Sequence, residues 1–437
     1  MMRKTTGTLI AAGLMLGANP AMANTARSWA VAMQAAPAPD ANGIPLLGDS
    51  TIRQIMRLSI GGQKLRLVLD NTDAATPLAV DHIEIARVDA NGRIIAGTSR
   101  RVTVGGRPGV VMPPHAPMTS DAVALTLPPL ARVAVSFHLA AGQQPAAFHG
   151  YAAARGSVAP GDQVSAVDLT GAKVLPWRFL VSGVDVESTR VQRSIVTFGD
   201  SITDGVRATV DSDLRWPDQL AARLQKAGMT GLGVANVGIS GNRVLSDGAG
   251  IGALARFDRD VLGVSGASHV IVLEGVNDIG GAWSAKQSAT FDTDALIAAY
   301  RQMILRGHAR GIKVLLGTIL PFKGAGYWSQ WGEDQRAKVN AWIRTQKEAD
   351  GVVDFDKAVR DPADPLSFAP AFDAGDHLHP NDAGFTAMAG AVPVQRSSAS
   401  NWIAASPHCA EALVETCGHS KTPSTIWCGS WSHVPRP

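Results

Sequence analysis

The sequence predicts an all-β, sandwich-like N-terminal domain followed by an α/β domain. Short apolar alternations broken by Gly, Pro, Asn and Asp fill the chain from Trp29 to about Leu180, whereas apolar strands alternate with helical segments from Ser194 onward. The first pattern is typical of antiparallel sheets, and the second predicts a parallel sheet with helices on both faces. For a chain of 437 residues, two domains are the expected number.

The N-terminus has the features of a secretory signal. Arg3 and Lys4 form a basic start, residues 7–17 are a short apolar stretch, and Ala21-Met22-Ala23 is a small-residue cleavage site. The apolar stretch is too short to span a bilayer comfortably, so we expect no stable membrane span; an uncleaved N-terminal anchor is the alternative. Residues 1–23 are therefore predicted to be a signal peptide, and the protein to be secreted or periplasmic.

Residues 24–190 are predicted to form the β-rich domain. Apolar residues recur with period two in segments 65–69, 82–86 and 132–137, and Asn91-Gly92 is a turn signal between such segments. No long helical period occurs in this part of the sequence. An antiparallel sandwich or barrel is therefore expected.

Residues 191–392 are predicted to form the α/β domain. The predicted strands are residues 194–198, 234–237, 269–273, 313–317 and 351–355. Helices are predicted around Trp216, Leu220 and Leu224, and over residues 293–310, 333–349 and about 381–392. In a parallel sheet of this kind ligands bind at the carboxyl ends of the strands.

The charge and the cysteines limit the possible partners. Forty Lys and Arg residues against 37 Asp and Glu give a formal net charge of +3 without a basic run, which argues against nucleic-acid binding. All 3 cysteines, Cys409, Cys417 and Cys428, lie in the tail, residues 393–437, which is rich in Ser, Trp and Pro. This tail is either a small cysteine-bearing appendage or the product of an altered reading frame, and the abrupt shift in composition favours the second.

Four short motifs occur in order, directly after or near the ends of predicted strands. They are Gly199-Asp200-Ser201, Gly238-Ile239-Ser240-Gly241-Asn242, Gly275-Val276-Asn277-Asp278 and Asp376-His377-Leu378-His379-Pro380. Together they supply a hydroxyl nucleophile, backbone and side-chain oxyanion donors, and a histidine base with an orienting aspartate. Each motif alone is weak evidence, whereas the ordered set points to ester hydrolysis.

Three of these residues also have ordinary structural interpretations. Ser201 is the predicted nucleophile and its N–H a predicted oxyanion donor, but serine is also a common helix N-cap. Gly241 lets a backbone N–H approach a negative charge, and it is equally a turn glycine. Asn277 offers an amide donor or an Asx turn, a role that Asp278 can take instead. A second Gly-Asp-Ser, ending at Ser50, lacks partner motifs and is interpreted as a turn.

The histidine motif leaves two alternatives open. His379 is the predicted base with Asp376 three residues before it, while His377 and Asp373 are the rival base and acid. His377 and His379 can also form a metal-binding His-x-His pair, although no further cluster of ligands accompanies them. We therefore predict no metal and no cofactor.

The motifs resemble those of the GDSL, or SGNH, hydrolase family over residues 191–392. Ser201, Gly241, Asn277 and His379 match the four namesake residues and Asp376 the catalytic aspartate, with Ile202 in place of the leucine in the family name. The resemblance implies a flavodoxin-like three-layer α/β/α sandwich and metal-free acyl transfer. Residues 25–190 resemble, more diffusely, the β-rich region of secreted two-domain bacterial members.

Aromatic residues that follow these motifs are candidate substrate contacts. Trp283 follows the Asn277 motif, and Tyr327, Trp328 and Trp331 follow the strand at 313–317. They can stack on a sugar, contact an acyl chain or simply pack. We expect a secreted serine esterase acting on short acyl groups of carbohydrates. The alternatives are an esterase or lysophospholipase for short-chain lipids and a catalytically inert carbohydrate-binding protein.

Overall fold

The structure is a computed structural model that describes residues 24–39 and 43–394. The predicted signal peptide and the three cysteines lie outside the described residues. Within the described residues, no helix has both the length and the apolar character needed to cross a bilayer.

The N-terminal half consists of short strands joined by turns. The strands are β1 Asn24–Ala30, β2 Gln34–Ala35, β3 Ser50–Arg57, β4 Gly62–Asp70, β5 Leu78–Arg87, β6 Arg100–Arg101, β7 Val110–Met112, β8 Pro117–Thr119, β9 Val123–Leu127, β10 Arg132–Leu139, β11 Ala147–His149, β12 Gly156–Pro160, β13 Lys173–Leu175, β14 Arg178–Phe179 and β15 Val181–Ser188. All of their pairings are antiparallel.

Two large sheets and one small sheet make up this half. One sheet has the order β1-β15-β4-β8, with β9 also on β4, and the second has the order β13-β12-β3-β10-β5-β6, with β7 also on β5. The small sheet has the order β14-β11-β2. Alternate residues such as Leu65 and Leu67 of β4 and Ile83 and Ile85 of β5 are buried in one shared core. The predicted β-sandwich is therefore confirmed, because period-two apolar patterns place one face of each sheet inside.

The second half alternates strands and helices. Its strands are β16 Arg193–Gly199, β17 Leu232–Asn236, β18 Ala267–Leu273, β19 Lys313–Gly317 and β20 Gly351–Val353. Its helices are α1 Ser201–Asp204, α2 Trp216–Lys226, α3 Ala253–Phe257, α4 Val276–Ser284, α5 Thr293–His308, α6 Gln330–Thr345, α7 Phe355–Val359 and α8 Asp382–Ala391, and a π-helical turn at Asp258–Leu262 continues α3.

The five strands form a parallel sheet in the order β17-β16-β18-β19-β20, which is the flavodoxin-like order. Helix α8 contacts both α2 and α7, and α3, α4, α5 and α6 form a second connected group. The three-layer α/β/α prediction is thus confirmed. The chain passes from β16 to β17 on one side of the sheet and then to β18 on the other side, so the strand order reverses at β16. In parallel sheets such a reversal opens a crevice at the carboxyl ends of the strands.

Some predicted boundaries were wrong for local reasons. The strand predicted over residues 351–355 ends at Val353, because the Asp354 side chain accepts a hydrogen bond from the Lys357 amide and begins α7. The helix predicted over residues 333–349 is α6, which begins three residues earlier. Ser329 caps it by accepting a bond from the Gly332 amide.

The two halves meet along β1, which contacts β16 and β17. The Arg27 amide donates to the Ser265 carbonyl at 2.9 Å, and the Val234 amide donates to Ser59 Oγ at 2.8 Å. These bonds join the two halves, so the β-sandwich is packed directly against the edge of the parallel sheet.

Candidate active site

Ser201 lies where β16 ends and α1 begins. Gly199 makes this turn possible, since a Cβ there would lie 2.2 Å from Thr203 Oγ1 and 2.5 Å from the Leu273 carbonyl oxygen. Asp200 caps α1 by accepting a bond from the Ile202 amide at 2.9 Å. Asp200 therefore fills the cap role, and the Ser201 hydroxyl remains at the carboxyl edge of the sheet.

Ser201, His379 and Asp376 form a chain of hydrogen bonds. His379 Nε2 lies 2.9 Å from Ser201 Oγ, and His379 Nδ1 lies 2.9 Å from Asp376 Oδ2. The other oxygen of Asp376 accepts from the Leu378 and His379 amides at 3.2 and 2.9 Å. This turn explains the three-residue spacing, because it brings the carboxylate against the ring of the same loop. Nδ1–H donates to the carboxylate, and Nε2 accepts a hydrogen bond from the Ser201 hydroxyl.

The electrostatics suit a general base. Burial lowers the pKa of His379 below its ordinary value; the hydrogen bond and charge of Asp376 oppose this shift, and Arg207 adds to it. Burial by itself would raise the pKa of Asp376, but hydrogen bonds from His379 and Arg207 outweigh burial and hold that pKa well below its usual range. Near neutral pH the site therefore holds a carboxylate beside a neutral imidazole.

Gly241 and Asn277 follow the two strands that flank β16. Gly241 has φ +79°, a conformation that favours glycine. Asn277 Nδ2 donates to the Asn242 carbonyl at 3.0 Å, and Tyr327 Oη donates to Asn277 Oδ1 at 3.3 Å. These bonds fix the amide plane while engaging one of its two N–H groups, so the second can serve as an oxyanion donor.

Residues 197–387 match the family model described as GDSL-like lipase/acylhydrolase. They form a GDSL-like domain. The match and the Ser–His–Asp geometry make the chain a carboxylic ester hydrolase.

Solved structures resemble part of the chain. A GDSL-like lipase from Bacteroides thetaiotaomicron is 21% identical with a TM-score of 0.33, and the alignment covers 46% of this chain and 85% of that chain. An acetyl xylan esterase from Geobacillus stearothermophilus is 24% identical with a TM-score of 0.36, covering 46% of this chain and 92% of that chain. No curated protein matches the sequence.

The rival base and acid, His377 and Asp373, take no part in the Ser201–His379–Asp376 hydrogen-bond chain of the GDSL-like domain. His377 Nδ1 pairs with Asp373 Oδ2 at 2.5 Å, and the His377 side chain is 52% exposed. His377 and His379 thus bind different carboxylates. Within the described residues, no group of three or more His, Cys, Asp and Glu side chains has an arrangement that could hold a metal ion. Ser50 begins β3 directly after a turn, as interpreted from the sequence.

Asp278 has a different role from the Asx turn considered for it. Its buried carboxylate accepts from the Val244 and Leu245 amides at 2.8 and 3.0 Å. Asp278 therefore holds the loop that follows Gly241, and the neighbouring Asn277 keeps its amide for the site.

The four predicted aromatic contacts have unequal positions. Tyr327 binds the Asn277 amide, and its ring lies so close to α4 that a Cβ at Gly280 would come within 2.3 Å of it. Trp283 stacks on Trp331 with ring centroids 6.3 Å apart, and Trp283 is 43% exposed. Trp328 is half-buried against the core. Tyr327 thus holds the Asn277 amide, Trp283 and Trp331 form a surface platform, and Trp328 contributes packing.

A buried arginine that sequence reasoning missed lies beneath the site. Arg256 Nε donates to Asn242 Oδ1 at 2.8 Å, and Nη2 lies 3.1 Å from the Gly199 carbonyl oxygen and 3.4 Å from Glu274. It thereby ties together the loops that follow β16, β17 and β18. Burial raises the pKa of Glu274 well above its usual range and that of Asp200 to about 7. The sequence signal that could have revealed Arg256 is its position as a charged residue within the otherwise apolar segment of α3.

Arg207 is a second residue that the sequence motifs do not include. It lies on the loop after α1, has φ +77°, and its Nε donates to Asp376 Oδ2 at 2.8 Å. The Asp376 carboxylate therefore has two side-chain partners, His379 and Arg207. The positive charge of Arg207 lowers the pKa of His379.

Proposed function

We propose that the protein is a serine esterase that forms an acyl-enzyme on Ser201, and that its preferred substrates are short acyl groups, above all acetyl, on carbohydrates. The observation that carries the mechanism is the continuous Ser201–His379–Asp376 hydrogen-bond chain, with both links at 2.9 Å. Such a chain supplies an activated hydroxyl and an oriented base.

In the first step Ser201 Oγ bonds to the ester carbonyl carbon while His379 Nε2 takes the hydroxyl proton. The carbonyl electron pair moves onto oxygen, and the resulting oxyanion is held by the N–H groups of Ser201 and Gly241 and the amide of Asn277. Asp376 stabilises the imidazolium that forms, since its bond to Nδ1 becomes charge-assisted.

The intermediate then collapses. The bond between the carbonyl carbon and the leaving oxygen breaks, and His379 gives its proton to that oxygen, which leaves as an alcohol. Water next attacks the acyl-enzyme with His379 again as base, and the carboxylic acid leaves as Ser201 recovers its proton.

Exposed apolar side chains near the oxyanion residues support the substrate proposal. Leu245 and Ile251 are 41% and 39% exposed on the loop after Gly241. Trp283, on the helix that carries Asn277, stacks on Trp331 of α6. Trp283 is six residues after Asn277, about 9 Å along the helix axis. An open aromatic face at that distance suits a sugar ring attached to a small acyl group.

The test is hydrolysis of p-nitrophenyl acetate, butyrate and a long-chain ester by the purified protein and by Ser201→Ala. We expect fastest turnover of acetate, a loss of about 10³-fold or more in the variant, full activity in a chelator, and acetate release from acetylated glycans. Activity that survives the substitution would refute the nucleophile. A preference for long chains would overturn the proposed acetyl preference. A folded but inactive wild type would favour the carbohydrate-binding alternative.

We further propose that the protein is exported and loses residues 1–23. The predicted cleavage site ends at Ala23, so the mature chain would start at Asn24. N-terminal sequencing of protein recovered outside the cytoplasm should begin at Asn24; an intact Met1 would contradict the proposal.

A further inference from the structure

The β-sandwich half contributes one side chain to the interior of the GDSL-like domain. His149, at the end of β11, lies with its Nε2 3.0 Å from Oδ1 of Asp204, the last residue of α1. Their side chains are 1% and 2% exposed. Such a buried pair is costly to form unless its polar atoms are satisfied, which makes its remaining bonds informative.

Both ring nitrogens of His149 have oxygen partners. Nδ1 lies 2.8 Å from the Ala32 carbonyl oxygen, which can only accept, so Nδ1 carries a proton. This bond fixes the ring orientation within the β-rich half and directs Nε2 toward Asp204. The bond between Nε2 and Asp204 Oδ1 needs a second proton, which lies between the ring and the carboxyl group. The imidazole is thus held by β-rich backbone on one side and holds the Asp204 carboxyl group of the catalytic half on the other.

The second oxygen of Asp204 holds the oxyanion loop. Asp204 Oδ2 accepts from Ser240 Oγ at 2.6 Å and from the Ser240 amide at 3.1 Å. Ser240 directly precedes Gly241. The same loop is pressed against α1, because a Cβ at Gly238 would lie 2.4 Å from the Asp204 amide nitrogen. The loop position therefore depends on where the Asp204 carboxylate is held.

We propose that His149 is a positioning residue for catalysis. Through Asp204 and Ser240 it sets the place of the Gly241 N–H, so that the β-rich half completes the oxyanion site rather than forming a separate module. The proposal rests on the proposed esterase mechanism. Without His149, Oδ1 of the buried Asp204 carboxylate loses its partner, and the carboxylate must turn toward another donor or water, which weakens its hold on Ser240.

The expected signature is a loss in turnover rather than in binding. An oxyanion donor acts mainly in the transition state, so its displacement lowers kcat and leaves KM nearly unchanged. Complete loss of one such donor costs about 10²–10³-fold, and a displaced donor should cost about 10- to 100-fold. The affinity for a boronic acid, whose serine adduct places a negative oxygen at the same position, should fall by a similar factor.

The experiment compares His149→Ala with His138→Ala in the full chain. His138 is a matched control: it is also buried in the sandwich and also pairs with carboxylates, Asp81 at 3.2 Å and Asp49 at 3.5 Å, but these belong to the β-rich half. For each protein kcat is measured per active site titrated with an organophosphate, together with KM for p-nitrophenyl acetate and the inhibition constant of phenylboronic acid.

His149→Ala should lower kcat per titrated site about 10- to 100-fold, change KM less than about twofold, and weaken boronate binding in parallel, whereas His138→Ala should change none of these. Unchanged kcat in His149→Ala, or an equal loss in His138→Ala, overturns the proposal.

If His149→Ala does not fold, Ser240→Ala is used instead, because it removes only one hydroxyl from the His149–Asp204–Ser240 contacts. It should lower kcat about threefold or more, and an unchanged kcat again overturns the proposal. An inactive wild type would instead refute the esterase mechanism itself.

Discussion

Replacing Arg207 with glutamine should move the acid limb of the pH–rate profile to higher pH. Arg207 lowers the pKa of His379, and His379 must be neutral to accept the Ser201 proton. Removing the positive charge therefore raises the pKa of the base, and activity is lost at a higher pH as the solution is acidified. The plateau near neutral pH should remain, because His379 is neutral there in both proteins.

The magnitude follows from the geometry. Arg207 Nε and His379 Nδ1 lie 2.8 and 2.9 Å from the same oxygen of Asp376, which places the two charges about 5 Å apart. At that separation two unit charges interact with about 0.8 kcal/mol in water. The Arg207 side chain is 55% exposed, so solvent and salt roughly halve this to about 0.4 kcal/mol, equivalent to a shift of about 0.3 pH unit.

The assay is kcat/KM for p-nitrophenyl acetate between about pH 4.5 and 8, followed at the isosbestic wavelength of nitrophenol. Arg155→Gln is the matched control, because Arg155 is 60% exposed and pairs with Asp211 on the same loop, away from His379. A midpoint that moves to lower pH in Arg207→Gln, or that moves equally in Arg155→Gln, would refute the electrostatic reasoning.

Three further outcomes are expected. Tyr327→Phe removes the hydroxyl that orients the Asn277 amide and should lower kcat about 3- to 10-fold with little change in KM. Asp200→Asn keeps an oxygen acceptor for α1 but cannot ionise. Burial raises the folded-state pKa of Asp200 to about 7, so the wild type loses stability as pH rises from the unfolded pKa toward that value. The asparagine variant has no such loss. The Tm of the variant relative to that of the wild type should therefore increase by about 2–4 °C or more between about pH 5 and 8. Trp283→Ala should raise KM for an acetylated oligosaccharide and leave p-nitrophenyl acetate unaffected.

Each of these has a contrary result. A Tyr327→Phe variant that changes KM alone would assign the hydroxyl to substrate binding. A relative Tm of Asp200→Asn that falls with rising pH would show that the carboxylate is stabilised in the fold. Equal KM changes for both esters in Trp283→Ala would mean that the tryptophan supports the site rather than binding the sugar. The control is Trp342→Ala, which removes another stacked tryptophan, at the end of α6 away from Trp331.

The sequence motifs brought together in the structure could be recognised because three of them follow strands of the parallel sheet. Ser201, Gly241 and Asn277 come after β16, β17 and β18, and these neighbouring strands end at one edge. The His379 loop was found through its local turn, since a three-residue spacing places Asp376 against the ring. Period and turn signals also predicted both fold classes, because burial of one strand face or both is encoded locally.

The supporting contacts could not be predicted, since they join distant parts of the chain. Arg207 and Asp376 are 169 residues apart, and His149 and Asp204 are 55 residues apart and belong to different halves. No local pattern distinguishes His149 from His138 in a β-rich sequence. The end of β20 was missed for the opposite reason, because a single cap by Asp354 replaced strand pairing with a helix start.

Covalent labelling tests the central claim most directly. The protein is incubated with diethyl p-nitrophenyl phosphate, and the intact mass, the residual esterase activity and the labelled peptide are measured in parallel. The mechanism predicts one diethylphosphoryl group per chain on the peptide that contains Ser201, loss of activity in proportion to labelling, and no label in Ser201→Ala. Stoichiometric labelling of another residue, or full activity in a chain labelled at Ser201, would contradict it.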